Sequence, residues 1–330
     1  MSASGGTTGD APAVGDPATV SALAARILGQ LSLSAWLPGA FFVACIAVLL
    51  WFQRVHSVTL AGAGQFVQHN WIPFLIFALP AVVISTLVTQ AFAFEAIRAL
   101  EGYWPSVWPL DRFRHSAQKR ALKRKAARSD EYESALVEAF RSARPALEKR
   151  GIHEDILDAV ERDLQGKARP SRLTEDEHDE ADSLEWEELC APWHSARIVR
   201  LRQARSELPE DSRVMPTRLG NVLRAGEDAL TNSGDLEGFV MRNRDRVPSR
   251  ILVNHDEFRT RLDMYCTMVF VSLALGAFTW PILWNVPWPQ RVVVSAILAV
   301  TAAASYLAAL GSARGYVVVL RQIDRYAGTD

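Results

Sequence analysis

Charged side chains are missing from long stretches of this 330-residue chain, although Asp, Glu, Lys and Arg make up 22% of it. Residues 264–284 and 292–313 contain none of these four types, and only a short turn with Arg291 separates them. About 20 apolar residues, each rising about 1.5 Å along a helix, cross a hydrocarbon layer of about 30 Å. The lack of charge therefore excludes an ordinary water-facing surface and predicts a membrane helical hairpin.

Cysteine is scarce, and the common enzyme signatures are absent. Three cysteines cannot complete a disulfide framework, and no CxxC pair typical of structural zinc occurs. GxSxG, the P-loop, GxGxxG after a strand and HExxH are all missing. The sequence therefore predicts no soluble-type enzyme, no cofactor and no metal. A formal net charge of −1 gives no reason to expect a nucleic-acid partner.

Two more uncharged runs lie in the first hundred residues. Trp36 and Trp51 bracket residues 35–52, as an aromatic belt at a membrane interface would. Residues 71–94 form the next run, in which Pro80 is expected to kink the helix. The sequence thus predicts an all-α membrane protein with four spans, paired as hairpins over 31–94 and 264–313. Residues 1–30 are predicted to form a disordered tail.

The distribution of positive charge predicts the orientation. Residues 111–128 contain eight Lys or Arg and one Asp, which marks the cytoplasmic side and places a basic helix near lipid headgroups. Residues 54–70 and 285–290 then become outer loops. We therefore expect a multi-pass protein of the plasma (inner) membrane with a cytoplasmic domain over 95–263. Both termini, including the tail 314–330, are expected in the cytoplasm.

Residues 95–263 show helical periodicity and no convincing run of alternating strands. Helical stripes are predicted on Tyr132, Leu136, Phe140 and Leu147, on Ile152, Ile156, Val160 and Leu164, and on Leu219, Val222, Leu223 and Leu230. A helix start is predicted at Met215-Pro216-Thr217. Residues 250–263 are expected to continue as helix into the third span. The acid-rich segment 165–182 is interpreted as an exposed loop.

Glu95, Arg98 and Glu101 are spaced i, i+3 and i+6 at the inner end of the second span, and Trp104 follows. Helical spacing lets Arg98 pair with either acid. One interpretation is a gate or lipid-headgroup site at the cytoplasmic mouth. The other is an interfacial salt bridge with an aromatic anchor. A lipid-modifying enzyme that uses the same charges is a weaker hypothesis.

Residues 215–228 contain a second group of polar candidates on one predicted helix: Arg218, Asn221, Arg224 and Glu227. An arginine beside the free N–H groups of a helix N-terminus can hold an anion such as phosphate. The alternative is a structural network of arginines and carboxylates. Glu187, Cys190 and His194 form a weak metal pattern that Pro192 interrupts, so no metal site is predicted.

Small residues recur at four-residue spacing in the last two spans. The positions are Ser272 and Gly276, then Ser295, Ala299 and Ala303, then Ala304, Ala308 and Ser312. Such stripes let helix backbones approach closely. They indicate packing within one chain, a subunit interface or a pore lining. Two stripes on one helix suit a helix with neighbours on two sides, as in a homo-oligomer.

Two patches carry a resemblance. FAFEAIRALEGYW at 92–104 and MPTRLGNVLRAGED at 215–228 resemble paired motifs in a family of uncharacterised bacterial multi-span membrane proteins. The matching positions are Arg98, Glu101, Gly102, Arg218, Asn221 and Arg224. After Asp228 the sequence departs from the family pattern. The resemblance implies the four-span topology and no particular activity.

The functional hypotheses follow from what the spans lack. Charge inside a membrane marks proton relays and ion-coupled transport, so uncharged spans argue against a pump. The leading hypothesis is an oligomeric channel or membrane-perturbing protein regulated by its cytoplasmic domain. The layout is similar to that of bestrophin-like anion channels, a likeness of architecture alone. The alternative is a membrane-anchored scaffold or receptor that recruits a cytoplasmic partner.

Overall fold

A computed structural model of the chain describes residues 33–60, 62, 71–230 and 240–327. The predicted tail 1–30 and residues 328–330 lie outside these ranges. No strand occurs within the described ranges. The helices are α1 (Leu33–Val55), α2 (Trp71–Glu101), α3 (Leu110–Lys149), α4 (Glu154–Leu164), α5 (Glu175–Ser183), α6 (Pro192–Ser206), α7 (Arg218–Asp228), α8 (Ser249–Ile282) and α9 (Trp288–Ala327), with a 3-10 turn at Asp211–Arg213.

Four helices are long and apolar enough to cross a membrane. The qualifying segments are Trp36–Val55, Ile76–Glu101, Ser249–Ile282 and Trp288–Tyr326. The prediction of a helical chain with four such segments is therefore confirmed at this level. Helix α8 runs without a break from Ser249, as predicted for residues 250–263. Helix α9 continues to Ala327, well past the end of its apolar run.

The chain divides into two compact units. The first comprises Met1–Ile97 with Asp256–Ser312, and the second comprises Arg98–His255 with Ala313–Asp330. In the first unit, helices α1, α8 and α9 share a buried apolar cluster that includes Phe52, Leu275 and Leu298. Helices α1 and α2 approach closely at Gly39. A Cβ added there would lie only 2.7 Å from the Thr86 backbone nitrogen.

The core of the second unit contains the predicted stripes of α3 and α4. Phe140, Leu147, Ile156 and Val160 are buried, and the other four predicted residues, Tyr132, Leu136, Ile152 and Leu164, pack against them. Phe140 meets Trp186 edge to face with a ring-centroid distance of 5.5 Å. The apolar residues of α3 and α4 recur about every 3.6 positions. This period predicted the core, because an amphipathic helix buries the face that carries its apolar residues.

The interpretation of 165–182 as a loop is wrong over its second half, which forms helix α5. The Thr174 side chain accepts a hydrogen bond from the Glu177 backbone N–H, and the Glu177 carboxylate accepts one from the Thr174 backbone N–H at 2.8 Å. This reciprocal capping box satisfies two N–H groups at the helix start. The bonds from Thr174 lower the pKa of Glu177 from its ordinary value.

Candidate functional site

The two sequence motifs meet at the C-terminal end of helix α2. The Thr217 hydroxyl donates a hydrogen bond of 2.7 Å to the carbonyl oxygen of Glu101, the last residue of that helix. A Cβ added to Gly220 would lie 2.1 Å from the same oxygen. Only glycine fits this position, so the start of α7 lies directly on the backbone at the end of α2.

The chain reversal after Glu101 also depends on glycine. Gly102 has a φ of +102°, a backbone conformation that side chains with a Cβ rarely adopt. A Cβ at this position would lie 2.4 Å from Cγ of Pro216. Trp104 holds the end of α2 by donating a hydrogen bond of 2.8 Å from its indole to the Ala99 carbonyl. We conclude that each motif supplies a glycine to one contact.

Asn221 secures the turn that leads into α7. Its side-chain oxygen accepts from the Met215 backbone N–H at 2.7 Å. Its amide donates to the carbonyls of Met215 at 3.0 Å and Thr217 at 2.8 Å. The Thr217 hydroxyl caps the helix by accepting from the Gly220 N–H at 3.1 Å. The cap occupies the Gly220 N–H, one of the groups that an anion at the helix N-terminus would use, and the other bonds give Asn221 a structural role here.

A charged and aromatic cluster surrounds this contact. The Arg224 guanidinium donates to the Glu227 carboxylate at 2.6 Å and to the Tyr103 hydroxyl. The guanidinium carbons of Arg224 and Arg98 lie 5.5 and 5.7 Å from the centre of the Tyr103 ring. Glu101 lies within electrostatic reach of both arginines and of Glu227. The structure therefore brings Arg98, Glu101, Arg224 and Glu227 together.

Ion pairs extend the cluster along α7. Glu227 also pairs with Arg213 at 2.7 Å, and Arg213 pairs with Asp228. Arg218 lies 3.5 Å from Glu207, which also pairs with Arg314 at 2.7 Å. Arg213, Glu207 and Arg314 were not predicted, since nothing in the sequence but their charge distinguishes them. The interpretation of Arg218, Arg224 and Glu227 as a structural network agrees with these contacts.

The remaining predicted residues lie in the first unit. Glu95 is exposed on α2. Ser272 is fully buried on α8, whereas Ala299, Ala303 and Ala304 are exposed on α9. Ser295 and Ala308 are half-buried. A Cβ on Gly276 would have no described atom within 4 Å. The described chain therefore packs around Ser272 but leaves the three alanines exposed.

A cavity of about 150 Å³ with Asp263 and Gln90 in its lining lies in the first unit and was not predicted. It is lined by Asp263, Gln90, Thr89, Thr260, Thr267, Pro38, Ala93 and Met264. The lining residues come from α1, α2 and α8. No local pattern predicts this cavity, because its polar residues are far apart along the chain. Asp263 was placed just outside the third span, so its proximity to Gln90 could not be predicted.

The weak metal pattern does not form one cluster. Pro192 begins helix α6, and the Cys190 thiol instead lies 3.1 Å from the Ser195 hydroxyl. His194 is buried and stacks on Trp193 with a ring-centroid distance of 3.4 Å. Over the part of the chain that the structure describes, no group of three or more His, Cys, Asp or Glu is arranged to hold a metal ion.

A function for the chain has to be inferred from these residues and their geometry. Comparison with protein-family models, with curated proteins and with solved structures finds no match to this chain.

Proposed function

We propose that the chain is a four-span protein of the plasma (inner) membrane that assembles with copies of itself into a pore. In this proposal the spans form two hairpins, and the region 95–263 and both termini lie in the cytoplasm. The cytoplasmic region controls the opening of the pore. The proposal starts from the four apolar helices and their uncharged runs. Spans without charged residues suit passive permeation better than ion-coupled transport.

The loop contacts of the first unit support the hairpin topology. The Val58 N–H, just after α1, donates a hydrogen bond of 2.8 Å to the Gln290 side chain at the start of α9. The Trp51 indole donates to the Thr59 carbonyl at 3.1 Å. The end of α1 and the turn between α8 and α9 therefore lie at the same end of this unit. That arrangement is expected if both loops face the outside.

The main support for an oligomer comes from two helical glycines that have no close neighbour within the described chain. A Cβ would have no described atom within 4 Å at Gly276 on α8 or Gly311 on α9. Glycine inside a helix costs about 1 kcal/mol relative to alanine. Small residues let a second helix approach closely in a bilayer. A second copy of the chain packed on these faces would explain the glycines and the exposed alanines of α9.

The backbone contact at Glu101 provides a route for control. Thr217 and Gly220 rest on the last carbonyl of α2, and the apolar part of this helix is the proposed second span. Hydrogen-bonded contacts and rigid secondary elements can carry coupling between distant sites. We propose that movement of the cytoplasmic region reaches the pore through this contact.

The experiment combines a mass measurement with a flux assay. Light scattering in detergent is expected to give a mass of several copies, and liposomes with the protein are expected to release an ion or dye. The double variant Gly276→Leu and Ala303→Leu should lower the mass and abolish the flux. Ala91→Leu repeats the alanine-to-leucine change at an exposed position of α2 and serves as the control. A monomeric wild-type protein that passes nothing would overturn the proposal.

One observation favours the second candidate, a membrane-anchored scaffold. Trp193 and Val199 on α6 are 63% and 60% exposed, and exposed apolar surface outside a membrane can serve as a site of protein interaction. A cytoplasmic partner could cover them. A photo-crosslinker at position 193 should then capture one partner at a fixed stoichiometry, and Trp193→Ala should abolish its binding without changing the mass of the oligomer. Absence of such a partner would count against this candidate.

A further inference from the structure

The first half of helix α3 has two chemically different faces. One face is held against the segment that precedes α7. Gln118 donates a hydrogen bond of 3.3 Å to the Val214 carbonyl, and Lys125 donates one of 2.7 Å to the Pro209 carbonyl. Lys125 also pairs with Asp211. The positive charge on this face is therefore used within the protein.

The opposite face is basic and exposed. Its bases are Arg112, Lys119, Arg120, Lys123 and Arg124, and all five side chains are exposed. Within the described ranges, none of the five forms an ion pair with an acid. The one acid between 111 and 128, Asp111, pairs instead with Arg114 at 2.7 Å. This face therefore presents a cluster of positive charge that no acid of the described residues neutralises.

Large aromatic side chains border the same face. Trp108 is 70% exposed and Phe113 is 65% exposed. Together with Pro109, Arg112, Ser116 and Arg120 they line an open cleft of about 390 Å³. The Arg112 guanidinium carbon lies 5.5 Å from the centre of the Trp108 ring. Tryptophan beside arginine is typical of the interfacial zone, where an amphipathic ring lies at the level of lipid headgroups.

We infer that this surface, the α3 basic face with Trp108 and Phe113, binds the phosphate of an anionic phospholipid. Arginine and lysine attract the phosphate, and arginine can form two parallel hydrogen bonds with it. The aromatic rings lie against the upper part of the acyl chains. The inference rests on the membrane location proposed above. It adds to that location a lipid class and the residues that recognise it.

Chain connectivity favours a lipid over a nucleic acid. Helix α2 extends only seven residues, about 10 Å, beyond the apolar run that ends at Phe94. Seven further residues lead to Trp108. A surface so close along the chain to a proposed span stays within reach of the headgroups. Single-stranded RNA would also use bases and aromatic rings, so RNA binding is one outcome that the experiment has to include.

The test compares two sets of substitutions that remove equal charge. One variant carries Arg112→Gln, Lys119→Gln, Arg120→Gln and Lys123→Gln. The control carries Lys149→Gln, Arg150→Gln, Lys167→Gln and Arg200→Gln, all exposed in the second unit. The full-length protein is purified in an uncharged detergent and titrated with phosphatidylglycerol or phosphatidylcholine. Bound lipid is counted by native mass spectrometry.

We expect wild type and control to retain phosphatidylglycerol in preference to phosphatidylcholine. The α3 variant should bind phosphatidylglycerol about tenfold or more weakly, because each base that is removed weakens the attraction to an anionic surface. Trp108→Ala with Phe113→Ala should weaken binding of the same lipid and leave the helical circular dichroism unchanged. Raising the salt concentration should weaken binding to the wild type more than to the α3 variant.

Several results would overturn the inference. These are equal binding of the two lipids, equal losses in the α3 variant and the control, competition by millimolar inorganic phosphate, or tighter binding of an RNA oligonucleotide than of lipid. Membrane fractionation separates this question from the proposed function. The α3 variant keeps all four apolar helices and should still pellet with membranes. A wild-type protein found in the supernatant would instead contradict the proposed topology.

Discussion

Gly220 and Gly226 in the second unit are crowded by their neighbours, whereas Gly276 and Gly311 in the first unit are not. In the second unit a Cβ on Gly220 would collide with a carbonyl oxygen, and one on Gly226 would lie 2.3 Å from a methyl group of Val317. In the first unit, a Cβ on Gly276 or Gly311 would have no described atom within 4 Å. Glycine weakens a helix, so each one needs a compensating contact. Gly220 and Gly226 have that contact within the chain, as Gly39 of the first unit also does, whereas at Gly276 and Gly311 we propose that a second copy supplies it.

The largest effect should come from the contact between the two motifs. In Gly220→Ala the new methyl group would meet the Glu101 carbonyl oxygen, which cannot move without displacing the end of α2. We expect a loss of about 3 kcal/mol in the free energy of unfolding, the upper end for overpacking. Denaturant titration followed by circular dichroism measures it. Gly276→Ala is the control, and equal stability of both variants would contradict the contrast.

Removal of one hydroxyl tests the same contact without adding volume. Thr217→Val takes away the donor to the Glu101 carbonyl and the acceptor that caps α7. The lost cap and the unpaired carbonyl should together cost about 2 kcal/mol. Thr301→Val is matched to it, because the Thr301 hydroxyl bonds only to its own helix at the Ile297 carbonyl, at 3.0 Å. A similar loss in both variants would mean that the contact adds no stability.

Part of the fold could be predicted from the sequence. Uncharged runs predicted the apolar helices, because water-exposed helices of that length need polar side chains. The 3.6-residue period predicted the buried stripe through Phe140 and Ile156. Both signals are local, so they are visible in a single window of sequence.

The contact between the motifs could not be predicted, because Thr217 and Glu101 are 116 residues apart along the chain. Each motif contains a glycine, but the sequence alone does not show which segment of backbone packs against that glycine. Helix α5 was missed for another reason. Its Thr174 and Glu177 have the spacing of a capping box, but an acid-rich composition with little apolar periodicity favoured a loop.

A smaller effect is expected where the neighbour is a side chain. In Gly226→Ala the methyl group meets the Val317 side chain, which can yield more readily than a backbone carbonyl. We expect a loss of about 1 kcal/mol in the free energy of unfolding. The double variant with Val317→Ala creates room for the methyl group, so its loss should be smaller than the sum of the two single losses. Strict additivity would show that the two positions do not touch.

The smallest effect on stability, with an opposite sign, is expected at Gly276. Alanine fits there within the described chain, and it restricts the unfolded chain more than glycine does. Gly276→Ala should therefore raise the free energy of unfolding of the monomer by about 0.5–1 kcal/mol. Gly39→Ala is the control within the same unit and should destabilise, because its methyl group would meet the Thr86 backbone.

The decisive readout is the mass in detergent. If a second copy lies against Gly276, the added methyl group separates the helices and the oligomer dissociates at a higher protein concentration than wild type. A more stable monomer with an unchanged dissociation constant would place the partner surface elsewhere and remove the main support for the oligomer.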